Sequence, residues 1–279
     1  MLAAVLALAA SVSWGVGDFL GGLKSRTLAP LAVLAVAQPV GLAAIALILA
    51  LSREPWPGSS VWLAVPAAVL GTSGILAFYR GMAAGTISLV APIAATGALI
   101  PVAFGLATGE RPSPLQLGGI VLAVGGAVVT SYEPGTGGRR GGLAAGIAWA
   151  LVAAVAFGGF FIPMHEAAEN GFLWAVFVFR VASTCLVLVA ALIVRPRLPR
   201  GRRDLATVAV IGLADTGGNV FFAAAAAEQG LVSVVSVLAS LYPVVTVILA
   251  RLYLREQVGR VQEAGAAATL AGVVLVSAG

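Results

Sequence analysis

The chain has 279 residues, of which 60% are apolar and 10% charged, and its mean hydropathy is +1.05. Soluble domains carry about 25% charged residues, so this composition excludes a domain with an ordinary water-facing surface and predicts a membrane protein. The formal charge of +5 comes from 16 basic and 11 acidic residues. The basic residues are spread over the segments between apolar runs, which suits contact with lipid headgroups. We therefore expect the lipid bilayer, and no nucleic acid, as a partner.

The apolar runs have the length of membrane-spanning helices, since roughly 20 helical residues cross a hydrocarbon core about 30 Å thick. The first run begins directly after Met1 and contains Trp14 and Asp18, so we expect a retained helix rather than a cleaved signal. Pro, Gly and charged residues separate the runs. The sequence predicts an all-α membrane protein with ten transmembrane helices, at residues 2–20, 29–51, 61–82, 88–107, 114–131, 143–163, 172–194, 205–227, 231–252 and 262–278.

The two halves of the chain resemble each other on either side of a segment rich in turn formers, residues 132–142. We therefore predict a five-helix repeat at 1–131, a linker at 132–142 and a second five-helix repeat at 143–279. An odd number of helices in each half gives the repeats opposite orientations in the membrane, an arrangement that places the substrate site of transporters between them. The ordered matches include Gly85-x-x-Ser88 with Gly230-x-x-Ser233, Glu110 with Glu256, and Gln116 with Gln262.

Polar and aromatic residues follow one face of several predicted helices, for example Ser11, Trp14 and Asp18 in the first. Polar groups in hydrocarbon are costly unless they face the interior of the bundle, so these stripes predict a central watery cavity. Alternatively, the hydroxyls bond a preceding carbonyl or join neighbouring helices. The candidate substrate-binding residues are Trp14, Asp18, Tyr79, Thr96, Phe160, Asn219, Ser236 and Ser240.

Arg180 and Asp215 lie well inside the seventh and eighth predicted helices, beyond the reach of the headgroups. Charges at that depth need partners. One hypothesis is a structural salt bridge between the two. The other is a functional site, in which Asp215 binds a proton or cation, or Arg180 binds a substrate carboxylate.

Four other candidate side chains can also be explained without a role in the site. Asp18 lies towards the end of its predicted span, where solvation at the interface competes with a role in the cavity. The aromatic rings of Tyr79 and Phe160 can serve as packing groups instead of a stacking surface. His165, the single histidine, lies at a predicted span end, and we expect it in a solvated loop.

Residues 241–256 (LYPVVTVILARLYLRE) resemble the ninth-helix signature of EamA-type proteins in the drug/metabolite transporter superfamily. A weaker counterpart is residues 100–111 (IPVAFGLATGER), and Ser13-Trp-Gly15 is similar to the opening helix of that family. The resemblance implies ten helices, a central cavity and export or exchange of amino acids, other metabolites or drugs. In the sixth span the chain has Val155-Ala-Phe157 in place of a second tryptophan motif, so individual substrate residues are not carried over from the family.

We interpret the chain as a secondary transporter of small metabolites, most of all amino acids or related compounds, working by alternating access. It contains no Gly-x-x-x-x-Gly-Lys-Ser/Thr loop for ATP. A flippase for lipids or lipid-linked sugars is the alternative, with a lateral opening to the bilayer. An intramembrane enzyme is disfavoured because no His-Glu-x-x-His motif is present and Asp215 lacks a second carboxylate in its span. We expect no catalytic residue, cofactor or metal site.

We expect a multi-pass protein of the inner or plasma membrane, with its oligomeric state left open. Basic residues concentrate in the odd-numbered loops, which would put the termini outside the cell. The family resemblance implies cytoplasmic termini instead, so the sequence leaves the orientation unsettled.

Overall fold

The computed structural model describes residues 1–85, 87–130, 140–228, 231–254, 260–261, 264–265, 267–268, 271–272 and 275. Only the backbone is described at 88–89, 92, 127, 130, 140–145, 251 and 254. Within these ranges the regular structure is helical. The helices are α1 (Leu2–Ser25), α2 (Pro30–Ser52), α3 (Ala64–Ala84), α4 (Ile87–Ala95), α5 (Leu99–Ala107), α6 (Pro114–Thr130), α7 (Arg140–Ala168), α8 (Phe172–Val194), α9 (Arg202–Ala227), α10 (Val232–Ala239) and α11 (Tyr242–Leu254), with short 3₁₀ helices at Ser59–Leu63 and Thr96–Ala98.

Seven helical stretches in the described part of the chain are long and apolar enough to cross a membrane, and two shorter apolar helices accompany them. The predicted tenth span, 262–278, lies mostly outside the described residues, so the count of ten remains a prediction. The seven stretches are Leu2–Ser25, Pro30–Ser52, Ser59–Ala84, Gly146–Ala168, Phe172–Val194, Arg202–Ala227 and Val232–Ala250, and the shorter ones are Ile93–Ala107 and Pro114–Gly126.

The predicted fourth and ninth spans are each interrupted near the middle, whereas the sequence predicted one transmembrane helix for each. The fourth consists of α4, the 3₁₀ turn Thr96–Ala98 and α5, and the ninth consists of α10 and α11. Pro101 and Pro243 follow the breaks. A proline has no N–H to donate to the carbonyl four residues earlier, so the helical hydrogen-bond ladder is broken at that point. The two breaks therefore occupy corresponding places in the two halves.

Helix packing across the two halves comes in matched pairs. The most extensive contacts are α3 with α7 and α1 with α9, and α2 packs on α8. In the two repeats the first span (α1) corresponds to the sixth (α7), and the third span (α3) corresponds to the eighth (α9). The contact between α3 and α7 is therefore the counterpart of the contact between α1 and α9. A Cβ added at Gly158 in α7 or at Gly97 would collide with backbone of the facing segment. Small residues therefore let these backbones approach closely across the interface.

A carboxylate from the first half caps a helix of the second. Glu110, which follows α5, accepts hydrogen bonds from the backbone N–H groups of Val232 (2.7 Å) and Ser233 (3.2 Å) and from the Ser233 hydroxyl (2.5 Å). These N–H groups open α10 and have no partner within the helix. A negative charge there also interacts favourably with the helix dipole. Glu110 thus joins the end of the fourth span to the start of the ninth.

We expect Glu110→Ala to lower the free energy of unfolding by about 0.5–2 kcal/mol, the usual contribution of a helix N-cap. Thermal unfolding of purified protein in detergent measures the effect. Glu169→Ala is the matched control, because Glu169 is exposed and should leave the melting temperature unchanged. Equal melting temperatures for the two variants would show that the cap does not stabilise the protein.

Candidate substrate cavity

A cavity with about 540 Å³ of empty space, part of it open to solvent, lies between the two halves. Both halves contribute to the wall, which is largely apolar with a few polar groups. The lining residues are Trp14, Asp18, Gln38, Gly71, Thr72 and Ile75 from the first half, and Phe157, Phe160, Phe161, Phe179, Asp215, Asn219 and Tyr242 from the second.

Arg180 and Asp215 form the salt bridge that the sequence suggested, with 2.7 Å between Arg180 Nη1 and Asp215 Oδ2. Nη1 also donates a 2.7 Å hydrogen bond to Gln38 Oε1, which in turn accepts a 3.1 Å bond from the Ser183 hydroxyl. The network connects α2, α8 and α9. Because all of these groups lie within apolar spans, each one lowers the cost of burying the others.

The Arg180 guanidinium lies behind the cavity wall rather than on it. Its side chain is fully buried, whereas the Asp215 side chain keeps 26% of its surface exposed and lines the cavity. Among the described residues, Arg180 Nε and Nη2 have no hydrogen-bond partner. The Phe179 ring centroid lies 5.5 Å from the guanidinium carbon. The surface that faces the cavity is therefore the carboxylate of Asp215.

Asp18 is buried in the cavity wall, so the expectation of solvation at the interface is wrong. Its residue exposure is 7%. The reason is that α1 continues to Ser25, which places Asp18 about 10 Å inside the helix end. In the described part of the chain no hydrogen bond or ion pair reaches its carboxylate. The carboxylate lies within electrostatic range of Asp215 and of the Tyr79 and Tyr242 phenols.

Aromatic rings from both halves form the rest of the wall. The Trp14 ring lies 6.2 Å from that of Phe160 and 6.1 Å from that of Phe161, and Phe157 packs edge-on against Tyr242 at 6.3 Å. These separations are typical of favourable aromatic pairs. A Cβ at Gly218 of α9 would collide with the Trp14 indole. The glycine therefore allows the indole to lie flat between α1 and α9.

The structure places some predicted binding residues together and others apart. Trp14, Asp18, Phe160 and Asn219 line the cavity. Tyr79 is buried against Gly21 of α1 and does not line it. Asn219 Nδ2 donates a 3.0 Å hydrogen bond to the Asp215 carbonyl, which positions it one turn from the carboxylate.

The three hydroxyls proposed for the site lie elsewhere. Thr96 donates a 2.7 Å hydrogen bond to the Ile93 carbonyl in the break of the fourth span, as the alternative interpretation of such residues predicted. Ser236 and Ser240 are buried, and their hydroxyls have no partner among the described residues. None of the three lines the cavity. Ser88 and Pro92 precede Thr96 at a spacing of four residues, which predicts one helix face, but their side chains lie outside the described part of the structure.

Sequence reasoning missed Gln38 and misplaced His165. Gln38 is the only polar side chain in the interior of α2. A polar group in hydrocarbon is costly without a partner, and this argument, which pointed to Arg180, applies equally to Gln38. His165 lies within α7 and is 9% exposed, which makes the expected solvated loop wrong. The helix extends to Ala168, beyond the predicted end of the span at 163, and so includes it.

The model of the EamA-like transporter family matches residues 1–132 and 144–278. The chain belongs to the EamA-like transporter family. It is an integral multi-pass membrane protein and a member of the drug/metabolite transporter superfamily, as the sequence resemblance implied. The family match covers both halves, on either side of the predicted linker.

Solved structures share the fold of this EamA-like protein, and 29 chains are similar to it. One crystal structure of a protein superposes with a TM-score of 0.76 at 18% sequence identity, over 99% of this chain and 96% of the other. At that identity the similarity shows the fold alone. No curated protein sequence matches the chain.

We expect Arg180→Met to destabilise the protein by about 3–5 kcal/mol, because removing one member of a buried ion pair leaves the other charge uncompensated. The double variant Arg180→Met with Asp215→Leu should regain most of that stability. Thermal unfolding in detergent measures both. Arg80→Met is the control at an exposed arginine over the Trp149 ring. If Arg180→Met melts at the temperature of Arg80→Met, the pair does not stabilise the fold.

Proposed function

We propose that this EamA-like protein is a secondary transporter that carries small metabolites through the cavity by alternating access. The observation that carries the proposal is a single cavity whose wall comes from both halves and contains the carboxylates of α1 and α9. A site between two rigid halves can be exposed to either side of the membrane by rocking one half against the other. Amino acids and related compounds are the substrates that the family resemblance favours.

Helix directions support an inverted relation between the repeats 1–131 and 143–279. The C-terminal ends of α1 and α3 meet where Gly21 contacts Tyr79 and Gly22 contacts Met82, so the two helices run in the same direction. α7 runs antiparallel to α3, because Gly74 faces Phe157 while Gly81, later in α3, faces Gly146, earlier in α7. Helix α7, which opens the second half, is therefore antiparallel to α1, which opens the first half.

A second set of contacts agrees with that direction. Near one end of α1, Lys24 pairs with Asp204 at the start of α9 (2.5 Å), and further along the Ser13 hydroxyl donates to the Ala214 carbonyl (2.7 Å). α1 and α9 are therefore antiparallel, as the equivalent pair α3 and α7 are. The interrupted fourth and ninth spans also resemble the discontinuous helices that transporters place at corresponding positions of their repeats.

We expect Thr72→Trp to reduce transport at least about tenfold, because the indole would fill the cavity that Thr72 lines. The assay is counterflow in proteoliposomes loaded with a mixture of amino acids and amines. Val69→Trp is the matched control, since Val69 of the same helix is 47% exposed and lies outside the cavity wall.

Two results would contradict this function. Equal counterflow by the Thr72 and Val69 variants, with equal melting temperatures, would place the pathway elsewhere. Protein-dependent scrambling of fluorescent lipids without any solute counterflow would favour the flippase instead.

A further inference from the structure

The charges around the cavity do not balance. Asp18 and Asp215 each carry a carboxylate, and Arg180 supplies the one cation that interacts with Asp215. The other ionisable groups near Asp18 are the phenols of Tyr79 and Tyr242, which supply no positive charge. Within the described residues the Asp18 carboxylate therefore has no cationic partner. Because an unpaired charge inside a membrane protein is costly, an ionised Asp18 requires a cation beside it, which makes it a site for a positively charged ligand.

Among the described residues, the same wall offers no cationic side chain to an anion, and its donors are neutral groups such as the Thr72 and Tyr242 hydroxyls. Arg180 Nη1 is bonded to Asp215 and Gln38, and the guanidinium is fully buried behind them. A ligand carboxylate in the cavity would face the carboxylates of Asp18 and Asp215 without reaching that cation. The alternative in which Arg180 binds a substrate carboxylate thus requires a rearrangement that uncovers the guanidinium first.

The rest of the wall determines what kind of cation fits. Aromatic side chains from both halves surround the space next to Asp18, among them Trp14, Phe157, Phe160 and Tyr242. Ring faces attract organic ammonium groups, and their apolar area suits a hydrocarbon body. A hard inorganic cation needs several oxygen ligands instead. Within the described residues, no group of three or more acidic, histidine or cysteine side chains could hold a metal ion.

We propose that Asp18 is the counter-charge for the transported substrate, and that the substrate is a monovalent organic ammonium ion with an aromatic or aliphatic body and no carboxylate. The inference rests on the proposed transport function. It narrows the amino acids and related compounds predicted from the sequence to amines. Trp14, one helical turn before Asp18, lies against the bound ammonium group or its hydrocarbon body.

A series with one aromatic body and three charge states tests the proposal: phenylethylammonium, phenylalanine and 3-phenylpropionate. Binding to the purified full-length protein in detergent is measured by calorimetry. We expect phenylethylammonium to bind most tightly, and Asp18→Asn to weaken it about thirtyfold or more, as loss of a buried charge partner does. Asp18→Glu should retain most of the affinity.

Controls separate a binding role from a structural one. Asp204→Asn removes a carboxylate from the part-buried pair with Lys24, outside the cavity wall, and should bind phenylethylammonium like the unaltered protein. Asp18→Asn should melt no lower than the unaltered protein, because Asp18 has no partner to lose. The proposal is overturned if phenylalanine binds more tightly than phenylethylammonium, or if Asp18→Asn binds both unchanged. It is also overturned if sodium is required, since that would assign Asp18 to an inorganic ion.

Counterflow of the same compounds distinguishes this inference from the transport function. Exchange of phenylalanine but not of phenylethylammonium would support the transport function and would overturn the proposal that the substrate is an organic ammonium ion. Asp18-dependent binding of phenylethylammonium without counterflow of any compound would overturn the transport function while the ligand class of the site stands.

Discussion

The Arg180–Asp215 salt bridge, with Gln38 as its third member, sets the chemistry of the cavity. In hydrocarbon each charge must find a partner inside the protein, and this requirement holds α2, α8 and α9 in contact at the depth of the site. The network also determines which side chains remain available to contact a ligand in the cavity. Because Arg180 is buried behind this network, the cavity presents carboxylates and aromatic rings. The chemical preference of the cavity follows from the groups that the network leaves exposed.

The two halves contribute to this site in complementary ways. The first half supplies Asp18, Trp14 and Gln38, and the second supplies Asp215, Asn219 and most of the aromatic wall. Neither half contains the cavity by itself, so any movement of one against the other changes access to it. Away from the cavity, Glu110 of the first half holds the start of α10 in the second. Contacts of this kind join the halves without filling the space between them.

Sequence reasoning worked best where a single residue carries a large energetic penalty. Arg180 and Asp215 could be paired because a lone charge deep in a span is too costly. It failed at helix ends. α1 and α7 extend past the predicted boundaries, and that extension moved Asp18 and His165 from the expected interface into the interior. Polar and charged residues near a helix end lower the local hydropathy whether they face water or a cavity, so hydropathy alone ends the span too early.

The sequence by itself determined the membrane environment, the helical class, the two-fold repetition along the chain and the need for a partner at Arg180. Each of these depends on composition or on the identity of one residue. Only the tertiary structure decided which stripes line the cavity. Asp18 and Asn219 do, whereas Ser236 and Ser240 do not. Helical periodicity shows which side chains share a face, but the neighbour that this face meets is fixed by how the two halves pack together.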